Sequence, residues 1–447
     1  MNKSLFIQFV DKYFGPIVRK LTETINGKKE EQLLHTTMLT EEYSPDLNWG
    51  STELQTSIVA ADVVAVNSTI PLKRRDSIRS ASGKIPKLGI KFQKNENDIN
   101  TLNVMAATGA EEATIAAKLL NDVPRAVNGI RHRVEILFQQ GLSTGQVLVT
   151  GSDDNTGTGV RATFGYLPEN IFHCTAGAWG SGAEEPIADV EQLFTKAAED
   201  GASISLVMMS KDYFNRLRAS QVGKLLAANH NGQTVTNLEF LAKPTRSSML
   251  EALEDEFGAT FKIVDSSFKI EGPNGERKTV RPWEQANVVG LTSENVGRLV
   301  YGRLAEETNP VADVSYQKSG SYILVSKFSK NEPLREFTSA QAFVIPVIDG
   351  GNNIYVLHAD SASESLLKAD VDPVEFTKAA ASKTVDMHYD GTAKLTATSD
   401  ADWATVSVSK DKVKVAVTAN DTEAERKGTV TVTDGTASTT FEVIQGS

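Results

Sequence analysis

Residues 121–150 constrain this chain more than any other stretch. Apolar side chains recur at Val127, Ile130, Val134, Leu137 and Phe138. Steps of three and four lay one continuous stripe along a helix. Asn121 or Asp122 suits the start, Pro124 fits the first turn, and Gly141 suits the end. The pattern predicts a helix over residues 122–141. Ser143, Thr144 and Gly145 then turn the chain into a strand-like run over 146–150. The polar side carries Arg131, Arg133, Glu135 and Gln139, with Arg131 and Glu135 spaced as an i,i+4 ion pair.

The chain has 447 residues, too many for one ordinary core, so two or three domains are expected. Hydrophobic residues at 40% and charged residues at 23% are those of a soluble globular protein. The formal net charge of -11 argues against a surface that binds nucleic acid everywhere. A single cysteine, Cys174, excludes an internal disulfide and a cysteine-based zinc site. The N-terminal apolar run is short, contains Gln8 and stops at Asp11 and Lys12, which does not read as a signal peptide. No run reaches the length of a membrane span. The expectation is a chain made and folded in the cytoplasm.

Residues 1–50 read as an arm. Phe6, Phe9, Val10, Tyr13, Phe14, Ile17 and Val18 suggest a short amphipathic helix, followed by a polar stretch. Such an arm is too small for a domain and is expected along a neighbour or along the main body. Residues 51–70 contain a valine-rich run through Val59, Val63, Val64 and Val66. A basic stretch follows. Lys73, Arg74, Arg75, Arg79, Lys84, Lys87, Lys91 and Lys94 fall close together, with only Asp76 opposing them. Residues 83–92 alternate like an exposed hairpin arm. A solvated loop, a nucleic-acid patch with Phe92 as its one stacking ring, or an arm drawn to an acidic neighbour would each use these charges.

Beyond residue 150 the reading alternates between strands and helices. Residues 151–159 form a turn cluster; Asp153, Asn155 and Gly157 match part of a calcium loop, but the distal Glu is missing. Residues 160–164 read as a return strand, 179–186 as a loop around Trp179, and 187–198 as a helix. A buried strand over 203–209, a helix over 213–226 started by Ser210 or Asp212, a helix over 249–257 ending at Gly258 and a strand over 260–264 follow. This alternation argues for an α/β domain. Residues 342–348 and 354–358 read as strands joined by a hairpin turn over 349–353.

An Arg-bearing helix with an internal Glu, followed by Gln139, Gln140, Leu142, Thr144, Gly145 and a strand, resembles the spine helix of phage major capsid proteins related to the lambda capsid protein. These have the Hong Kong 97 fold. The later order is similar too: Trp179 in a loop, Phe214 and Leu217 on a helix, Phe257 and Gly258 before a strand, then Arg281, Pro282, Trp283 and the Gly297, Tyr301, Gly302 element. Phe268 stands where the family carries a Tyr. The resemblance covers about residues 50–360. It implies an N-terminal arm over 1–50 and a capsid domain over 51–360. Within that domain it implies an extended loop over about 70–105, a spine helix over about 122–141, and peripheral and axial domains, the axial one over about 187–305. In this family the extended loop reaches over an adjacent subunit, so Arg74, Arg75, Arg79, Lys84, Lys87, Arg131 and Glu135 become candidate subunit contacts. An acidic shell would also hold DNA without gluing it to the wall.

Residues 361–373 are rich in Ala, Ser and Asp and read as a linker. From 374 to 447 short runs alternate with period two between close turns, the pattern of a small β-sandwich. Trp403, Val406, Ser407, Asn420, Arg426, Lys427, Gly428 and residues 441–445 make it similar to the BACON family of immunoglobulin-like domains. Many of these are thought to bind glycans. Trp403 is then either a sugar platform or a core residue between the sheets.

Catalytic patterns fail on context. Residues 141–145 match G-x-S-x-G, but here the motif ends a helix and opens a strand, the reverse of a nucleophile elbow. No phosphate-binding loop is present, and the histidines at 35, 132, 173, 230, 358 and 388 have no metal-ligand spacing. The expected fold class is therefore mixed α/β of the Hong Kong 97 capsid type, followed by an all-β immunoglobulin-like sandwich. The expected function is a non-enzymatic shell subunit needing no cofactor or metal. Its implied partners are further copies of itself in hexamers and pentamers, with scaffold, portal and decoration proteins and surface glycans as further candidates. DNA would be enclosed without sequence-specific binding, and no membrane is involved. The implied location is the virion capsid, assembled in the host cytoplasm. An encapsulin-like container and a secreted carbohydrate-binding protein are the alternatives.

Overall fold

The computed structural model describes residues 2–27, 33–54, 78–149, 160–182, 184–233, 241–272, 275–362, 367–369, 373–389, 394–410, 412–422, 424–433 and 438–446. The chain divides into two compact units: Met1–Phe172 with Trp179–Asp360, and His173–Ala178 with Ser361–Ser447.

The first unit is built on the helix Asp122–Thr144. Val123, Ala126, Val127, Ile130, Val134, Leu137, Phe138 and Leu142 are all buried on its inner side, and burial of each larger side chain contributes about 1.5–3 kcal/mol. Gly145, not Gly141, ends the helix. Gly145 has φ 71°, and its N–H donates to the Gly141 carbonyl at 2.8 Å. Gly141 remains helical because it must be small: a Cβ there would sit 2.7 Å from the Phe164 ring. Asn121 does not cap with its side chain. Its Oδ1 instead accepts from Lys94 Nζ at 2.7 Å, and Lys94 also pairs with Asp122 at 3.0 Å.

The helix packs on a mixed sheet in the order Leu39–Tyr43, Gly297–Gly302, Arg335–Ile348, Ile323–Lys330, Ser315–Ser319, with Lys87–Lys94 also paired to Arg335–Ile348. The arm lies along its own body. Phe6, Phe9, Val10, Phe14 and Val18, on and beside helix Ile7–Gly27, join the main core, and Leu39–Tyr43 runs parallel to Gly297–Gly302. The expected hairpin over 83–92 is absent. Ile78–Lys84 pairs back to Asn48–Leu54 and Lys87–Lys94 enters the main sheet. Glu96–Ala107 is a helix with a capping box at Asn95 and Asp98. Of the extended loop expected over 70–105, residues 70–77 lie outside the described residues, and the rest is strand and helix in Ile78–Lys84, Lys87–Lys94 and Glu96–Ala107.

A second sheet orders Ile354–Ala362, Asn287–Leu291, Leu206–Ser210 and Thr260–Val264. Around it lie helices Pro186–Glu199, Lys211–Leu217, Gln221–His230 and Arg246–Phe257. The single helix expected over 213–226 is two. Ser210 Oγ accepts from Tyr213 N–H and Ser220 Oγ from Gly223 N–H, so each helix has its own N-cap. A Cβ at Gly223 would lie 2.2 Å from the Leu217 carbonyl oxygen, so only glycine fits this close join. Two further expectations change. Gly297–Gly302 belongs to the main sheet, so the axial element does not run intact to 305. Residues 349–353 are not a hairpin turn: the strand before them lies in the main sheet and the strand after them in the second.

The C-terminal unit holds two four-stranded sheets. One orders Leu367–Ala369, Ala381–Tyr389, Lys412–Val417 and Ala404–Ser409; the other orders Val374–Phe376, Ser438–Gln445, Arg426–Thr433 and Thr396–Ser399. Between them pack Val385, Leu395, Val413, Val415, Val430, Val432, Phe441 and Val443, which are the inward members of each alternating run. The expected linker over 361–373 already supplies a strand at Leu367–Ala369; residues 363–366 and 370–372 lie outside the described residues.

Candidate functional site

Glu135 and Arg131 do not form the expected pair, and both are turned inward. Glu135 is only 1% exposed. Its carboxylate accepts from the N–H groups of Leu34 and His35 at 3.0 Å each, contacts His35 Nδ1 at 2.6 Å, and accepts from Gln139 Nε2 at 2.6 Å. Burial would push this carboxyl up, but the bonds and charge of His35, with Gln139, hold it below the ordinary carboxylate range. Gln139 Oε1 accepts in turn from Ser266 Oγ at 2.8 Å. Burial pushes the Arg131 guanidinium down, offset by Tyr322 and Glu41 nearby; burial also pushes the Tyr322 hydroxyl up to about 12. The polar side of the long helix therefore serves the subunit's own interior. Arg131 and Glu135 are both buried within the subunit.

The basic stretch divides. Arg74 and Arg75 lie outside the described residues. Arg79 sits on Ile78–Lys84, in register with Glu53. Lys84 and Lys87 are exposed, and Lys94 is buried against Asp122. Lys87 Nζ lies 6.0 Å from the Phe343 ring centre, and Lys91 Nζ 5.4 Å from that of Phe337. Phe337 stacks on Phe328 at 5.2 Å. Beside them a cleft of about 350 Å³ is lined by Ile90, Lys91, Val311, Tyr316, Phe328 and Gln341. The alternation read in 83–92 thus sets Lys87 and Lys91 beside rings of the neighbouring strand Arg335–Ile348, while Leu88, Ile90 and Phe92 pack against the core.

A buried polar cluster escaped the sequence reading. Lys327 is fully buried. Its Nζ donates to Thr338 Oγ1 at 3.0 Å and lies 3.7 Å from Glu336 Oε1. Glu336 also accepts from Ser4 Oγ, and its Oε2 accepts from the Leu5 N–H at 3.3 Å. These bonds tie the first residues of the chain to a strand more than 330 positions away. Burial pushes Lys327 down to about 8, despite Glu336, and pushes Glu336 up. A lysine depressed from 10.5 is bound to fewer protons folded than unfolded above pH 8, so stability rises with pH in that window. The chain is expected to gain of order 2 kcal/mol between pH 8 and 10 relative to the double variant Lys327→Met, Glu336→Gln. Urea midpoints of both proteins at the two pH values check this; parallel pH profiles would refute it.

The G-x-S-x-G match is structural. Ser143 is buried, its Oγ donates to the Gln139 carbonyl at 2.8 Å, and it accepts from the Glu284 N–H at 3.0 Å. Its own carbonyl accepts from Asn287 Nδ2 at 2.8 Å. The end of the long helix is thereby bonded to the second sheet. Among the described residues no group of His, Cys, Asp and Glu is placed to hold a metal. No helix among them is long and apolar enough to cross a membrane. The partial calcium loop at Asp153, Asn155 and Gly157 lies outside the described residues.

In the C-terminal unit Trp403 is half-buried against the sandwich core. The Arg426 guanidinium lies 4.5 Å from its ring centre. Arg426 is held there by Gln445 Oε1 at 3.0 and 2.7 Å and by the Thr418 carbonyl at 2.7 Å. A Cβ at Gly428 would meet the indole edge at 3.3 Å.

A sequence profile of the family phage major capsid protein E matches residues 18–271, and the profile of the BACON binding-domain family matches residues 392–446. No curated protein matches the chain. Among solved structures, the chain is similar to a protein assigned as a prophage capsid protein of E. coli CFT073. That likeness has 13% identity and a TM-score of 0.46, covering 80% of this chain and 99% of the other. It is also similar to the encapsulin SrpI of Synechococcus elongatus PCC 7942, with 10% identity and a TM-score of 0.37, over 75% of this chain and 90% of the other. A GH5 xyloglucanase of Bacteroides ovatus is similar over 18% of each chain, with 29% identity and a TM-score of 0.16. At these TM-scores the likenesses carry no argument, and the assignment rests on the capsid profile. That profile spans more than half of the chain, and the chain belongs to the phage major capsid protein E family.

Proposed function

We propose that this chain is the tiling subunit of an icosahedral phage shell of the Hong Kong 97 type, arranged in hexamers and pentamers and assembled in the host cytoplasm. The observation that carries the reading is the capsid profile match across residues 18–271. The subunit's architecture supports it. A long helix, an N-terminal arm and two sheets are bonded into one body by buried polar contacts, and repeated contacts between such bodies build a shell. The acidic chain would enclose DNA without binding its sequence. Scaffold, portal and decoration proteins are the further partners of this reading, and no catalysis is part of it. Size-exclusion chromatography and negative-stain electron microscopy of the full chain test it. Closed shells, tubes or capsomer-sized rings are expected; a strictly monomeric species at high concentration, even with a scaffold supplied, would sink it. Nucleic acid inside the shells would separate this reading from an encapsulin-like container, which would hold a protein cargo.

The C-terminal sandwich is a separate compact unit, which supports its reading as an outward-facing domain. The BACON match keeps glycan binding as its proposed role. Trp403 is not the platform we favour for it, because a fixed guanidinium lies against its ring. Arg426→Ala is expected to destabilise the sandwich by about 1–3 kcal/mol, since Gln445 is buried and loses its partner. Thermal unfolding of the full chain followed by tryptophan fluorescence reads the loss. An unchanged transition together with new sugar binding would restore Trp403 as the platform.

A further inference from the structure

Two surfaces of opposite sign in the first unit carry charges that are largely without ion pairs among the described residues. The first is cationic. Arg218 follows helix Lys211–Leu217, and its Nη1 donates to the Pro244 carbonyl at 3.3 Å, which sets the guanidinium beside Lys243. Its Nε is buried and has no hydrogen-bond partner among the described residues. Lys224 lies in the first turn of Gln221–His230, where the helix dipole is already positive. Among the described residues no carboxylate pairs with Arg218, Lys224 or Lys243. Burial and then these two neighbouring cations push the Lys243 ammonium down. The three charges gather against their own repulsion.

The second surface is anionic. Helix Arg246–Phe257 exposes Glu251, Glu254, Asp255 and Glu256 in its last two turns, with no basic residue in its last turn. That is the negative end of the helix dipole, where carboxylates are disfavoured. Glu251, Glu254 and Asp255 share one face by their spacing. His230 Nδ1 approaches Asp255 at 3.4 Å; Glu251, Glu254 and Glu256 have no ion-pair partner among the described residues. Each surface gathers like charge, and among the described residues no ion pair joins one to the other.

We propose that the Arg218, Lys224 and Lys243 cluster of one copy receives the Glu251, Glu254 and Asp255 helix face of a second copy. The contact joins two different surfaces, so it is head-to-tail and propagates into a ring or an open array. Charge complementarity selects the occupant. The complement is present on every copy of the chain at equal number, whereas a polyanion would meet the net charge of -11. The inference rests on the shell reading and names one contact within it.

The test uses the full chain, with assembly followed by light scattering and negative-stain microscopy against protein concentration. Lys224→Glu with Lys243→Glu, and separately Glu251→Lys with Glu254→Lys, are each expected to raise the concentration needed for assembly at least about tenfold. Combining all four reversals is expected to restore it. Lys224→Gln with Lys243→Gln should show a smaller rise, and circular dichroism melts confirm that each variant is folded. Raising salt to about 1 M should weaken wild-type assembly in the same direction. Reversals that assemble like wild type would overturn the contact while leaving the shell reading intact. So would reversals that the fourfold combination fails to rescue; loss of nucleic-acid absorbance with them would mean the cations serve a polyanion. A wild-type chain that never assembles would fail the shell reading itself.

Discussion

Glu135→Ala is expected to cost the first unit about 3–5 kcal/mol, the range for breaking one side of a buried charged network. The alanine leaves the N–H groups of Leu34 and His35, the His35 ring and the Gln139 amide without their acceptor. The side chain is 1% exposed, so water does not replace the carboxylate. Because the folded carboxyl is held below its ordinary 4.5, its contribution is present above that pH and fades as pH falls through the folded value. Denaturant unfolding of the wild type, Glu135→Ala and Glu135→Gln at neutral and acid pH reads both effects. Gln should lose less at neutral pH and show a weaker acid slope below pH 4.5. A loss under about 1 kcal/mol for the alanine variant would mean that the network is not what joins residues 34–35 to the helix.

Gly297→Ala is the second large effect, expected at about 4 kcal/mol or more. A Cβ at Gly297 would lie 2.1 Å from the Val347 carbonyl oxygen and 3.0 Å from the Asp349 amide nitrogen. Both are backbone atoms, so the neighbouring strand must move. That strand, Arg335–Ile348, holds three partners in the main sheet. The variant is expected to be largely insoluble or to unfold at much lower denaturant; a soluble chain with an unchanged transition would refute the steric argument. Gly302→Ala should be milder. Its Cβ would meet Leu47 Cδ2 at 2.1 Å, the end of a side chain that can turn away.

These two glycines show what a motif in the sequence meant. The Gly297, Tyr301, Gly302 element was legible as a family resemblance, yet its reason is local crowding visible only in three dimensions. Tyr301 lies between the rings of Tyr43 and Tyr322, at 5.8 and 6.0 Å. Trp179 behaves likewise. It reads as one aromatic in a loop; in the fold it is buried, with Nε1 donating to Asp189 at 2.8 Å and its carbonyl accepting from Arg216.

Local periodicity determined much of this protein. The stripe from Val127 to Phe138 is the buried side of the long helix, Gly258 ends its helix in the left-handed region at φ 65°, and the alternating runs after residue 374 are strands. Those signals depend on residues a few positions apart, which one sequence displays directly. Tertiary structure alone decided where the charges went. Glu135 meets His35 across 100 positions, and Ser4 meets Glu336 across 332. Charged residues on a helix face or strand read as solvated, because nothing in their spacing reveals a partner that distant; only the folded chain supplies the donors that make their burial tolerable. The same holds for residues 349–353, whose turn chemistry is plain but whose two strands part into different sheets. Strand partnership is a long-range choice, set by which buried faces must meet and not by the turn between them.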